Sequence, residues 1–130
     1  KINGFCHKDL EGGISETEAS DLIIKTFTNH HVSRKNAVFI CQNPSFDRSF
    51  FSQLVSPETQ EELNWPYHWL DLASMFWATY MREKKGFPIT VGLSKDKIAS
   101  YYQLPAEDKP HKALNGVKHL MSCYYSVLAQ

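Results

Sequence analysis

Val38-Phe39-Ile40-Cys41-Gln42-Asn43-Pro44-Ser45-Phe46-Asp47 is the stretch on which the fold turns. Asn36 to Gln42 is a short, nearly continuous apolar run. A run of that length predicts a strand buried in a parallel sheet. Asn43-Pro44 breaks it. Ser45 then stands where it can cap a new helix through Phe46, Asp47, Phe50, Phe51 and Leu54. A strand that ends in a sharp break before a helix is one step of an open α/β sheet, and such sheets place ligands at their strand C-termini.

Working outward, Ser15-Glu16-Thr17-Glu18 has the spacing of a capping box. Ala19, Leu22, Ile23, Thr26 and Phe27 follow at helical spacing, and the helix should end near Asn29-His30-His31. The His pair invites a metal reading, but a helix C-terminus favours cations in any case. Residues 1–13 read as an irregular entry segment. Downstream of the central stretch, Pro57 to Glu62 reads as a short helix or turn and Tyr67 to Leu70 as a second strand. Asp71 caps a helix containing Leu72, Met75, Phe76, Thr79 and Tyr80, ended by Gly86 and Pro88. Ser94 caps another with Ile98, Tyr101 and Tyr102 on one face. Pro105 to Pro110 is a loop. The last helix should start near Pro110, with Ala113, Leu114, Val117, Leu120, Met121, Tyr124 and Val127 as its buried stripe. Two strands are too few for a sheet covered by so many helices, so the opening strands of an α/β domain look absent.

The totals are those of a globular chain. Of 130 residues, 42% are hydrophobic and 22% charged, which excludes a disordered chain, and no apolar run approaches a membrane span. The net charge is zero, so no global basic field points to nucleic acid. Residues from 81 onward nonetheless carry eight Lys/Arg against four Asp/Glu. From charge alone, chance asymmetry among solvated side chains explains that better than a phosphate-binding surface does. Cys6, Cys41 and Cys123 lack CxxC spacing, which argues against a disulfide framework or structural zinc and suits a reducing cytoplasm. Trp65, Trp69 and Trp77 are more economically read as core than as base-stacking platforms.

Two residues carry candidate chemistry. Asp47 lies early in its helix, where the dipole favours a carboxylate whether or not it has a ligand. His111 opens the last helix, and His111, Asn115 and His119 share a face at i, i+4 spacing. On local grounds each is better explained structurally, Asp47 as a first-turn acid and His111 as a solvated or capping residue.

Taken together, Gln42-Asn43-Pro44-Ser45-Phe46-Asp47 and His111-Lys112-Ala113-Leu114-Asn115-Gly116 resemble the second and third motifs of the DEDD exonuclease superfamily. This is the proofreading-exonuclease and oligoribonuclease group, in its histidine-containing (DEDDh) branch. Gly13-Ile14-Ser15-Glu16, Trp69-Leu70-Asp71-Leu72 and Leu93-Ser94-Lys95-Asp96-Lys97-Ile98-Ala99 match the intervening pattern, and the resemblance covers about residues 12–128. It implies a partial ribonuclease H-like α/β fold, in a single domain that is the C-terminal part of a longer one. It further implies a 3′–5′ exonuclease on single-stranded DNA or RNA ends, of a type that often forms homodimers, using two Mg²⁺ or Mn²⁺ ions. By that resemblance Asp47 holds a metal ion, His111 is the general base, and Asn43, Phe46 and, more weakly, Phe50 line the 3′-terminal nucleotide site.

The chain departs from the pattern twice. Asp9-Leu10-Glu11 imitates the first acidic motif, but no apolar strand precedes it and only 38 positions separate Asp9 from Asp47. Three strands and a helix need far more chain, so the true first motif should lie upstream of Lys1. Gly116 stands where the fourth acid belongs, and Asn115, one residue off, is a weak metal ligand. The alternative function is therefore a degenerate nuclease-fold module that binds nucleic acid or a protein partner.

Overall fold

The structure, a computed structural model, describes residues 8, 11–84, 86–109 and 111–129. Its elements are α1 (Glu16–Asn29), β1 (Phe39–Cys41), α2 (Pro44–Leu54), α3 (Pro57–Glu62), β2 (Trp69–Asp71), α4 (Leu72–Lys84), α5 (Lys95–Tyr101) and α6 (Ala113–Leu128). The fold is mixed α/β and mostly helical, with β1 and β2 in a two-stranded parallel sheet. The described residues form two compact units, one of residues 8, 11–40 and 44–70, the other of 41–43 and 71–129. Asp9 and Leu10, the imitation of a first acidic motif, lie outside the described residues, as does most of the entry segment.

In the first unit the capping box at Ser15 forms as its spacing predicts. Ser15 Oγ accepts from the Glu18 amide at 3.2 Å, and the Glu18 carboxylate accepts from the Ser15 amide at 2.8 Å. The core is aromatic. Phe39 stacks on Trp69 with ring centroids 4.1 Å apart, and Phe27 packs on Trp65 at 4.6 Å. Trp65 and Val55 are fully buried. Trp65 and Trp69 are thus packing residues, while Trp77 belongs to the other unit and keeps substantial exposure.

One correction concerns the start of α2, which begins at Pro44, not after Ser45. Proline lacks the amide that a first helical position would leave unpaired, and its fixed φ suits that position. Ser45 therefore lies inside the first turn and does not cap the helix.

In the second unit Asp71 caps α4 as expected, accepting from the Ala73 and Ser74 amides at 3.1 Å each. Ser94 caps α5 through the Lys97 amide. Helices α4, α5 and α6 pack on one another around Leu72, Phe76, Ile98, Ala99, Cys123 and Val127. The last helix differs from its sequence reading in two ways. It starts at Ala113, with Lys112 as N-cap, so His111 precedes the helix. Its buried face also runs through His119, Cys123 and Val127, whereas Leu114 and Val117 are exposed. The apolar pattern alone misplaced the stripe because a histidine with a backbone partner can take a core position that composition assigns to leucine.

Three helices end alike. His31, Asn64 and Gln103 adopt φ of 52°, 55° and 56°, each just past the C-cap of α1, α3 and α5. At the end of α5 the Gln103 amide donates to Ser100 O at 3.1 Å and the Leu104 amide to Ala99 O at 2.9 Å. This is the Schellman pattern, which usually recruits glycine. The turn at Gln103 directs the chain into the loop that carries Glu107.

Among the described residues no helix is long and apolar enough to cross a membrane.

Candidate active site

The loop from Leu104 to Lys109 delivers a carboxylate into the second unit. The Glu107 side chain is only 5% exposed. A buried carboxylate must be paired and hydrogen-bonded to remain charged, and Glu107 has two cationic or potentially cationic partners. Lys95 Nζ, at the start of α5, lies 2.6 Å from Glu107 Oε2, and His111 Nδ1 hydrogen-bonds to Glu107 Oε1. The Lys95 hydrogen bond holds the Glu107 carboxyl below the usual glutamate range. Burial opposes that, and the His111 hydrogen bond adds to the lowering.

Because Nδ1 of His111 faces a carboxylate, Nε2 is the nitrogen left to exchange a proton with a ligand. The His111 side chain is 40% exposed, so that nitrogen can be reached. An acid that fixes an imidazole through one nitrogen and leaves the other for proton transfer is the orienting arrangement of hydrolytic dyads and triads.

Gly116 closes the cluster. Its carbonyl accepts from Lys95 Nζ at 3.2 Å. A Cβ at this position would lie 3.2 Å from His111 Cε1, 3.6 Å from Lys95 Nζ and 3.8 Å from Glu107 Oε1. Glycine thus lets the loop and the lysine approach α6 closely. The family pattern puts a metal-binding carboxylate here. The chain instead has no side chain at 116 and an ammonium group beside it, so position 116 supplies no ligand to a divalent ion. Asn115, one position earlier, is half-buried on α6 and lines a cleft with His119, Lys118 and Ser122.

The other candidates lie on or beside α2. Asp47 is an exposed acid in the first turn of α2. Phe46 and Phe50 form an exposed ring pair with centroids 4.8 Å apart. Asn43, immediately before α2, is exposed, and the Gln42 side chain donates to Leu93 O at 2.8 Å. Phe46, Asp47 and Phe50 therefore sit on one element of the first unit, while His111 and Asn115 belong to the second.

The sequence reading missed Glu107, Lys95 and the burial of His119. Glu107 was passed over as part of a loop, although a carboxylate four residues before a histidine is the signal that could have found it. The i, i+4 face of His111, Asn115 and His119 does not exist as such, because His111 lies outside α6 and His119 is buried.

Comparison with protein-family models, curated proteins and solved structures gives no match.

Proposed function

We propose that this chain is part of a 3′–5′ exonuclease that hydrolyses phosphodiesters at single-stranded DNA or RNA ends, with His111 as general base. The observation that carries this reading is the His111–Glu107 pair, a half-exposed imidazole held by a buried carboxylate. Glu107 fixes Nδ1, and Nε2 takes the proton of the attacking water. The water oxygen bonds to phosphorus, the P–O3′ bond breaks, the freed 3′-oxygen of the shortened strand takes up a proton from solvent, and a nucleoside 5′-monophosphate leaves. Divalent ions of the Mg²⁺ or Mn²⁺ class supply charge stabilisation when bound, and Asp47 is the carboxylate of this chain suited to hold one. The exposed Phe46–Phe50 pair beside it offers a face on which a terminal base can stack. The finer reading of the fold, a partial ribonuclease H-like domain, belongs to this same proposal.

The test is release of mononucleotides from 3′-labelled single strands by the full-length protein with Mn²⁺. Asp47→Ala and His111→Ala should each lower the rate by at least about a hundredfold. Undiminished release in both variants refutes the assignment.

A second reading, a degenerate module that binds strands without cutting them, is favoured by one observation. Gly116 stands where a metal-binding acid is expected, and the Lys95 ammonium group lies beside it. Full-length protein that binds single strands, takes up no Mn²⁺ in calorimetry and releases no nucleotide would establish it over the first.

A further inference from the structure

His119 is 7% exposed, and its two ring nitrogens have different surroundings. Nε2 lies 3.1 Å from Pro105 O. A carbonyl can only accept, so Nε2 carries the hydrogen. Nδ1 is buried without a hydrogen-bond partner and lies 3.8 Å from Glu107 Oε2, beyond hydrogen-bond range. In the neutral ring Nδ1 is an acceptor beside a carboxylate oxygen that already takes the Lys95 ammonium group, so the unsatisfied atom is Nδ1. A buried acceptor left with neither a donor nor a cation is costly.

A third ligand is in place. Carboxylate and ring atoms of Asp96, Glu107 and His119 all lie within 4.8 Å of one another. They come from three separate parts of the second unit, namely the first turn of α5, the loop after it and the middle of α6. Asp96 and His119 line a cleft of about 200 Å³ together with Glu107 and Lys109. A tetrahedral Zn²⁺ with bonds of about 2.0 Å holds its ligand atoms about 3.3 Å apart. The Nδ1–Oε2 separation already approaches that value, and the exposed Asp96 is free to close the remainder.

The geometry points to a Zn²⁺ site formed by Asp96, Glu107 and His119, with a fourth position open to the cleft. Charge and ligand chemistry select this ion over harder ones. Lys95 on Glu107 and Lys109 in the cleft offset the two carboxylates, so Mg²⁺ or Ca²⁺, which depend on excess negative charge and oxygen ligands, gain little. An imidazole nitrogen suits Zn²⁺. The Nε2–H bond to Pro105 O is the outer contact that metal-binding histidines usually make, and it already fixes the ring with Nδ1 toward the acids. The site shares Glu107 with the proposed His111 pair, through its other carboxylate oxygen, but its existence does not depend on whether the chain is a nuclease.

The experiment is a titration of the full chain with ZnCl₂, followed by calorimetry and by NMR of the histidine ring nitrogens, with Asp96→Asn as the variant. Asp96 is exposed, so this substitution tests a ligand without disturbing the core. One equivalent of Zn²⁺ should shift His119 Nδ1 and leave its Nε2–H in place. Asp96→Asn should weaken binding by at least about tenfold, and MgCl₂ should leave the His119 signals unmoved. His119 signals that do not respond to saturating Zn²⁺ would overturn the proposal, as would equal affinity in Asp96→Asn. Exonuclease activity is not read in this titration, so its outcome is separate from that of the nuclease assay.

Discussion

Lys95 Nζ lies 2.6 Å from Oε2 of the buried Glu107. The loop that carries Glu107 and the helix that carries Lys95 are therefore joined by a charge-assisted hydrogen bond shielded from water, and the lysine also reaches the Gly116 carbonyl. This contact fixes the carboxylate that in turn fixes His111.

Removal of the ammonium group alone should be costly. Lys95→Met keeps the apolar stem but leaves Glu107 with His111 as its remaining partner. Breaking a fully buried pair costs roughly 3–5 kcal/mol. Lys95 retains 17% exposure, so about 2 kcal/mol is expected. A urea denaturation curve measures it. The double variant Lys95→Met with Glu107→Gln should recover part of the loss, because no uncompensated charge remains.

The same pair sets an acid limit. The folded-state pKa of Glu107 is depressed below its unfolded value, chiefly by Lys95. Its contribution to stability is therefore complete above the ordinary glutamate range of about 4.3 and is lost as pH falls through the lower folded value. Unfolding midpoints should drop as pH is taken below about 4. The drop should be shallower in Glu107→Gln, which has no proton to take up at this position.

Gly116 is expected to matter for chemistry more than for stability. Gly116→Ala gains about 1 kcal/mol of helix propensity. The new Cβ meets His111 Cε1 at 3.2 Å, so the ring must move by a few tenths of an ångström and gives back part of that gain. The melting temperature should change little. Because the moved ring is the proposed base, nucleotide release should fall by about tenfold.

Much of this architecture was legible in the sequence because its signals are local. The Ser15 capping box, the Asp71 and Ser94 caps and the short strands at Phe39 and Trp69 each depend on a few adjacent residues, and each is found. What was not legible depends on distant partners. His119 reads as a polar surface residue until the Pro105 carbonyl is brought to its ring. Glu107 reads as a loop acid until Lys95, twelve positions earlier, pairs with it. The start of α6 was misplaced because a proline near a helix start biases the boundary without fixing it. For the candidate site, the sequence singles out His111, but the Glu107 carboxylate bonded to its ring was not legible.

Gln103 should tolerate, and profit from, glycine. Its φ of 56° costs an L-residue free energy that glycine does not incur, and its amide already makes the Schellman hydrogen bond. Gln103→Gly should raise stability by about 0.5–1 kcal/mol, less the greater freedom glycine has when unfolded. Asn64, in the same conformation after α3, should gain less, because asparagine tolerates positive φ better than glutamine. Paired urea titrations of the two variants give the comparison.

The exposed rings on α2 separate binding from folding. Phe46 and Phe50 are 61% and 54% exposed and pack chiefly on each other. Substitution of exposed residues away from special features usually changes stability by less than about 0.5 kcal/mol. Trp65, at 2% exposure in the aromatic core of the same unit, should by contrast cost about 3–5 kcal/mol on replacement by alanine. If bases stack on the exposed pair, each lost ring should weaken single-strand binding by about 1–3 kcal/mol at constant salt. Fluorescence anisotropy with a labelled oligonucleotide reads that loss, and a parallel melt shows that the fold is unchanged. Phe46→Ala and Phe50→Ala proteins that fold normally and bind strands as tightly as the wild type would remove these rings from the proposed nucleotide site.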